Sequence, residues 1–193
     1  MVDFYLRVLD VFFALIALIA LSPLLGIAAL LVRSTGRPII FRQKRNGRKG
    51  RVFTIYKFRT MRVMEDGDEN FKQASIKDDR TTAVGAFLRH YSIDELPQLL
   101  NILKGDMSIV GSRPHALAHD RQFVGKIEDY MRRYALRPGL TGLAQVRRFR
   151  GPTDTLEKMV NRVRSDLEYI DNRSVQLYLD IIFQTAMGPY KQH

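Results

Sequence analysis

Apolar and polar positions divide this chain into a greasy N-terminal segment and a longer remainder whose hydrophobic residues recur at short intervals. Residues 11–32 form 22 consecutive positions without a charge, interrupted only by Ser22, Pro23 and Gly26. A proline inside such a run removes a backbone hydrogen bond and clashes with the carbonyl four residues back, here that of Ile19, so a helix kinks or breaks. Ser22 can return a hydroxyl to the freed carbonyl. The eleven residues before Ser22 and the nine after Pro23 each give an arm of about 14–16 Å, half of a ~30 Å hydrocarbon core. Two half-depth arms fit a re-entrant helical hairpin with both ends on one membrane face. A single span with Arg7 outside satisfies the same charges.

Beyond the apolar run the period changes. Residues 38–61 predict a β-hairpin: Ile39, Ile40 and Phe41 in one arm, turn chemistry from Asn46-Gly47 and Gly50, and a return from Val52 to Phe58. Alternation puts Phe53, Ile55, Lys57 and Arg59 on one face, so Lys57 and Arg59 are expected to project together. Residues 65–80 have few apolar positions and no period, which predicts a mobile loop. Short helices are predicted at 84–91 and 96–104, the second with Leu96, Leu99, Leu100 and Leu103 on one side. A loop is expected at 105–114, a helix over 115–134 and a turn at Pro138-Gly139. Residues 154–170 give the cleanest helical stripe, opened by Asp154 and Glu157 in a capping-box pattern. The apolar segment 178–187 suits a core or a membrane interface. The expected class is α+β, mostly helical, with one small hairpin.

Composition sharpens this picture. The 193 residues carry 31 Lys+Arg against 20 Asp+Glu, a formal charge of +11, and 46% are hydrophobic. That length and apolar content suit a single folded unit with a real core. The absence of Cys excludes a disulfide framework, a thiolate metal site and a cysteine nucleophile. The charge is local: eleven cations between Arg33 and Arg62 are uninterrupted by any acid. An apolar run followed by basic residues is the arrangement expected at an anionic cytoplasmic leaflet. A cleaved signal peptide is disfavoured by Asp3 and Asp10 before the run and by Arg33-Ser34-Thr35 after it.

Candidate chemistry begins with Asp94-Glu95. Pro97 fits the first turn of a helix, which places Asp94 near its N-cap. Asp94 is then either a plain cap with Glu95 in the helix dipole field, or one of two carboxylates that divide labour, one attacking phosphorus and one holding a divalent cation. Lys57, Arg59, Arg89, Arg113 and Arg150 are candidates to neutralise a phosphorylated substrate. Asp166 sits at the edge of the stripe on the last long amphipathic helix, where a carboxylate needs either a cationic partner or a metal. His115 and His119 have metal-ligand spacing but lack a clear third ligand.

The ordered motifs resemble the bacterial sugar transferases, the monotopic phosphoglycosyl transferases of polyprenol phosphate. They include Arg7…Asp10 before the Ser22-Pro23 break, Phe41-Arg42-Gln43, Tyr56-Lys57-Phe58-Arg59-Thr60-Met61 and Ser92-Ile93-Asp94-Glu95-Leu96-Pro97-Gln98. Gly105-Asp106-Met107-Ser108, Arg113-Pro114-His115, Arg137-Pro138-Gly139-Leu140-Thr141-Gly142 and Thr153-Asp154-Thr155-Leu156-Glu157-Lys158-Met159 continue the match. The resemblance is nearest to the undecaprenyl-phosphate glucose or galactose phosphotransferases of exopolysaccharide synthesis. It implies a re-entrant membrane hairpin over 1–36, a catalytic domain over 37–193 with amphipathic interfacial helices, and residence on the cytoplasmic face of the bacterial inner membrane. It implies Asp94 as nucleophile toward a UDP-sugar, Glu95 holding Mg2+, and Lys57, Arg59, Arg89, Arg113, Arg150 and Asp166 as substrate-binding residues. By the same resemblance UMP leaves, undecaprenyl phosphate accepts the sugar phosphate, and no nucleic acid polymer is a partner. The chain is expected to be the minimal catalytic unit, without the additional N-terminal membrane helices of long relatives. It departs from the usual pattern at Ser112, Leu143 and Arg147-Arg148. A membrane-anchored basic module that binds lipid or nucleic acid without catalysis is the alternative, and its signature is steep salt dependence.

Overall fold

The break at Ser22-Pro23 forms where the proline leaves a carbonyl unpaired. The computed structural model describes residues 1–62, 78–149, 151, 153 and 155–188. In it, α1 (Val2–Ala20) and α2 (Ser22–Ser34) meet at Leu21 with a bend of 65°. Ser22 Oγ donates to the Ile19 carbonyl at 2.8 Å, the group that lacks a proline N–H. The first arm is longer than its uncharged run, at 19 residues, because its polar side chains find partners in the rest of the chain. Asp10 Oδ1 accepts from Ser108 Oγ (2.8 Å), the Ile109 N–H (2.7 Å) and Tyr178 OH (2.8 Å). Arg7 donates to the carbonyls of Ile102 and Leu103 at 2.7 and 3.0 Å. Among the described residues no single helix is both long and apolar enough to cross a membrane; the bent pair reaches that length and apolar content only when its two arms are taken together.

The hairpin forms as expected, from β1 (Ile40–Asn46) and β2 (Val52–Phe58), antiparallel with Ile40 opposite Phe58, Phe41 opposite Lys57 and Arg45 opposite Phe53. Gly50 turns the chain at φ +74°, a conformation a side chain resists. The strand ends at Phe58, so the alternation does not carry through to Arg59.

Downstream, α3 (Ala83–His90) is capped by Thr82, whose hydroxyl accepts from the Gly85 N–H at 2.9 Å. A 3₁₀ helix over Ile93–Gln98 runs into α4 (Leu99–Lys104). The stripe expected there is shifted. Leu100 is 46% exposed, whereas Leu99, Ile102 and Asn101 are buried. Asn101 pins β2, taking the Tyr56 N–H (3.1 Å) and giving its amide to the Thr54 carbonyl (2.8 Å).

The expected loop at 105–114 holds a three-residue strand within it, and the expected turn at 138–139 leads straight into a second. β3 (Ser108–Val110) and β4 (Gly139–Thr141) pair in parallel. Parallel partners lie far apart in sequence, and three-residue strands carry no readable period. The expected helix over 115–134 is divided into α5 (Leu117–Phe123) and a 3₁₀ turn over Tyr130–Tyr134, separated by a reversal that includes Asp129 at φ +56°. After α6 (Leu143–Val146) comes α7 (Leu156–Asp171), capped by Thr155, which accepts from the Lys158 N–H at 3.3 Å. Its expected cap, Asp154, lies outside the described residues, as does most of the expected 65–80 loop. The last element among the described residues is α8 (Val175–Met187).

Both N-terminal helices share the core. Leu6 packs with Val110, Tyr169, Tyr178 and Ile181, Ala14 with Ile55, Ile102 and Met107, and Ala28 and Val32 with Phe58 and Leu88. Their other faces expose Phe4, Phe12, Ile16, Ile19 and Leu30.

Candidate active site

Four elements converge on Asp94 and Glu95. Ser92 takes the left-handed conformation at φ +58° and starts the 3₁₀ turn, which sends both carboxylates inward, 8% and 7% exposed. The expected capping role of Asp94 is not what forms. The N-cap position belongs to Ser92, and Asp94 lies inside the first turn. The side-chain carboxylate of Asp94 takes no hydrogen bond from any described residue.

Glu95 is held from two sides. Lys57, on β2, places Nζ 2.9 Å from Glu95 Oε1. Arg113, on the loop leaving β3, grips the same carboxylate with both terminal nitrogens, one of them 3.0 Å from Oε2. A bidentate guanidinium fixes the plane of its partner, which a single ammonium cannot do. Attraction to Glu95 raises the Arg113 pKa. The Lys57 pKa is lowered, because burial outweighs the same attraction. Compact ammonium ions are strongly hydrated, so burial costs Lys57 more than Arg113.

Asp94 is pushed up to about 6, first by burial and then by the Glu95 charge, with Lys57, Arg89 and Arg113 pulling the other way. The result is a carboxylate that is ionised at neutral pH yet poorly solvated, a state suited to attack on an electrophile. Arg89, on α3, joins this group. It donates to Thr60 Oγ1 (2.9 Å) and Thr81 Oγ1 (3.3 Å), and Asp94 is the strongest charge acting on it.

Two of the expected residues lie elsewhere. Arg59 is 3% exposed and spends its donors on the carbonyls of Pro38 (2.9 Å), Met61 (2.9 Å) and Val32 (3.2 Å) and on Thr35 Oγ1 (2.9 Å). It clasps the end of α2, and the expectation that it projects with Lys57 is not met. Asp166 is buried against Arg133, with Arg133 nitrogens at 2.7 and 3.1 Å from its Oδ2. That pair belongs to a second buried group with His115, Asp120, Tyr130 and Tyr134. This group supports the site from beneath: Arg133 donates to the Arg113 carbonyl at 3.0 Å and accepts Ser112 Oγ on its own carbonyl at 2.8 Å. Ser112, one of the positions that depart from the usual pattern, thus ties the loop before Arg113 to the Arg133 backbone.

Burial first, then the charge of Arg133, pushes His115 well below its ordinary pKa. His119, pushed down to about 4 by burial, hydrogen-bonds Thr153 (3.1 Å). Arg150 lies outside the described residues. The carbonyls on either side of it, those of Phe149 and Gly151, accept from Arg162 at 2.9 and 2.6 Å.

Arg45 is the residue the sequence reading missed. It lies on the hairpin face of Lys57, two residues beyond Gln43, because Phe41, Gln43 and Arg45 pair with Lys57, Ile55 and Phe53. Pairing register plus period two makes that placement legible. Its guanidinium donates to the Pro114 carbonyl at 3.3 Å, and its pKa is pushed down to about 10 by burial and then by Arg113.

The hard carboxylate oxygens of Asp94 and Glu95 are the donor type that Mg2+ takes alongside substrate phosphates. Among the described residues no cluster of three His, Asp or Glu side chains is arranged to hold a metal by itself. Two adjacent carboxylates are a donor type that an ion also held by substrate oxygens can use.

The family described as bacterial sugar transferase matches residues 1–192. A protein of Escherichia coli (strain K12) named UDP-glucose:undecaprenyl-phosphate glucose-1-phosphate transferase is 50% identical over 181 residues, covering 93% of this chain and 39% of that protein. A protein of the same name from Caulobacter vibrioides is 50% identical over 186 residues, covering 96% of this chain and 69% of its own. The exopolysaccharide production protein PSS of Rhizobium leguminosarum bv. phaseoli is 42% identical over 186 residues, covering 94% and 93%. The chain thus spans less than half of the first of these relatives and nearly all of the last.

Proposed function

Because this chain belongs to the bacterial sugar transferase family, we propose that it moves a sugar-1-phosphate from a UDP-sugar to undecaprenyl phosphate through a covalent intermediate on Asp94. The observation that carries the reading is a pair of adjacent buried carboxylates in unlike states. Glu95 is locked between Lys57 and Arg113, while Asp94 is open to attack.

An Asp94 carboxylate oxygen attacks the sugar-bearing phosphorus of the donor. The bond from that phosphorus to the bridging oxygen breaks, and UMP leaves with the oxygen. The sugar phosphate is then held on Asp94 as an acyl phosphate. A phosphate oxygen of undecaprenyl phosphate attacks the same phosphorus, the bond to Asp94 breaks, and the carboxylate is regenerated. Lys57, Arg113, Arg89 and Arg45 supply positive charge around a diphosphate that would otherwise repel the nucleophile. Glu95, oriented by its two cations, would hold Mg2+ together with donor phosphate oxygens, and the ion would neutralise charge on the diphosphate. UDP-glucose is the donor to test first, since two relatives that are 50% identical to this chain over the matched residues are named for it.

The bent α1–α2 pair is read as a re-entrant hairpin seated from the cytoplasmic face of the inner membrane. Supporting this are the 65° break and the outward Phe12, Leu15, Ile16, Ile19 and Leu30. The lipid acceptor then reaches the site from the same side as the soluble donor.

The test is mass spectrometry of the intact protein after exposure to UDP-glucose and Mg2+ without lipid acceptor. The expected result is a hexose-phosphate adduct on the parent, absent in Asp94→Asn, with UMP rather than UDP released. Release of UDP, or an adduct that survives Asp94→Asn, overturns the mechanism.

A further inference from the structure

A cavity that shares no lining residue with the Asp94 site is lined by four arginines and two aspartates, Arg7, Arg48, Arg137, Arg173, Asp3 and Asp10, together with uncharged side chains such as Leu6 and Tyr169. The charged residues come from the first turns of α1, the hairpin tip, the segment before β4 and the stretch after α7. The charges do not cancel. Asp10 Oδ1 is occupied by Ser108, Ile109 and Tyr178, and Asp3 is shared between Arg173 and Arg48, the latter 3.7 Å away. Arg7 and Arg137 direct donors to the carbonyls of Ile102, Leu103 and Gly105, which are neutral. The Nε of Arg48 is buried and finds no hydrogen-bond partner among the described residues. Arg137 feels the surplus: burial lowers its pKa, and Arg7 and Arg48 lower it further.

We propose that this cavity is a second anion site, distinct from the catalytic one, that takes a phosphate group between the Arg48, Arg137 and Arg173 guanidinium forks. Guanidinium planes match the oxygens of a phosphate, and a buried donor with no partner is costly until one is supplied. The phosphate can belong to the headgroup of an anionic phospholipid or to free inorganic phosphate. The headgroup is favoured by position. The same turns of α1 that line the cavity expose Phe4, Tyr5 and Val8 on their other side, at 70%, 55% and 50%. In the re-entrant reading, on which only this choice of source rests, those turns lie at headgroup depth.

Two measurements on the full chain test this without any sugar donor. Inorganic phosphate, set against sodium chloride of equal ionic strength, should raise the melting temperature of the detergent-purified parent. Arg113→Gln should keep that response, Arg48→Gln should lose at least half of it, and Arg48→Gln/Arg137→Gln should lose it all. Native mass spectrometry from nanodiscs containing phosphatidylglycerol should show lipid retained on the parent and lost in the same two variants. Arg48→Gln carries the test even if the double variant does not fold, since its side chain is 39% exposed and its one ion pair is long. A response to phosphate alone makes free phosphate the occupant, and retention of lipid alone makes it the headgroup. If Arg48→Gln matches the parent in both measurements, or if the phosphate response disappears with Arg113→Gln instead, there is no second site.

Discussion

Asp94 is a carboxylate whose surroundings favour its neutral form, with its pKa pushed up to about 6 by burial and by Glu95. Its nucleophilic form is the ionised one. Donor cleavage should therefore rise about tenfold per pH unit below that value and level off above it. Initial rates of UMP release between pH 4.5 and 8.5 measure this, and a flat profile across pH 6 contradicts it. Stability runs in the opposite sense. An unfolded aspartate ionises near 3.8, so between there and about 6 the folded chain binds more protons than the unfolded one. The Asp94 contribution to folding stability is full below that window, falls as pH rises through it, and stays lowered above. Asp94→Asn has no charge to bury and should be more stable than the parent at pH 8, by on the order of 1–2 kcal/mol, with the gap closing near pH 4. Urea unfolding at the two pH values measures it. Of the candidate cations, Arg113 was legible only as a residue type. Nothing in the order of residues says that it would meet Glu95 while Arg59 would turn to backbone carbonyls.

At the scale of elements, what was readable depended on how local the cause is. The α1–α2 break follows from two adjacent residues, and the hairpin from alternation plus a glycine turn. The β3–β4 pair has no such signature, since Ser108 meets Gly139 and Val110 meets Thr141 across a long stretch of chain. What makes that pair possible is the absence of side chains at its crossing. A Cβ on Gly139 would lie 2.1 Å from the Gly111 nitrogen and 2.3 Å from the Thr141 oxygen, both backbone atoms that cannot move aside. Gly139→Ala should cost about 3 kcal/mol or more and, because Ser112 and Arg113 follow Gly111 directly, should release the grip on Glu95. Gly50→Ala is the control. Nothing lies within 4 Å of its added Cβ, and only its φ of +74° resists, so about 1 kcal/mol is expected with the site intact. Thermal melts and UMP release on both variants separate the two cases, and equal losses would mean that β3–β4 packing does not hold the site.

For the whole molecule, membrane topology is the property with the clearest single readout. With both arms entering from one face, a thiol at Val2→Cys and one at the exposed hairpin residue Lys49→Cys should behave alike. A membrane-impermeant maleimide should leave both unlabelled in spheroplasts and label both after permeabilisation. Labelling of Val2→Cys alone in spheroplasts means a full span. The sequence by itself determined the bent apolar helix pair, the hairpin, the last long amphipathic helix and the adjacency of Asp94 with Glu95, since each rests on neighbours within a few residues. Tertiary structure alone decided which charges face one another: Lys57 and Arg113 on Glu95, Arg133 on Asp166, Arg59 on α2, and four arginines around a cavity. Long charged side chains have no periodic code. Each is oriented by whatever acceptor lies within reach once distant segments pack, and burial then makes leaving that acceptor costly.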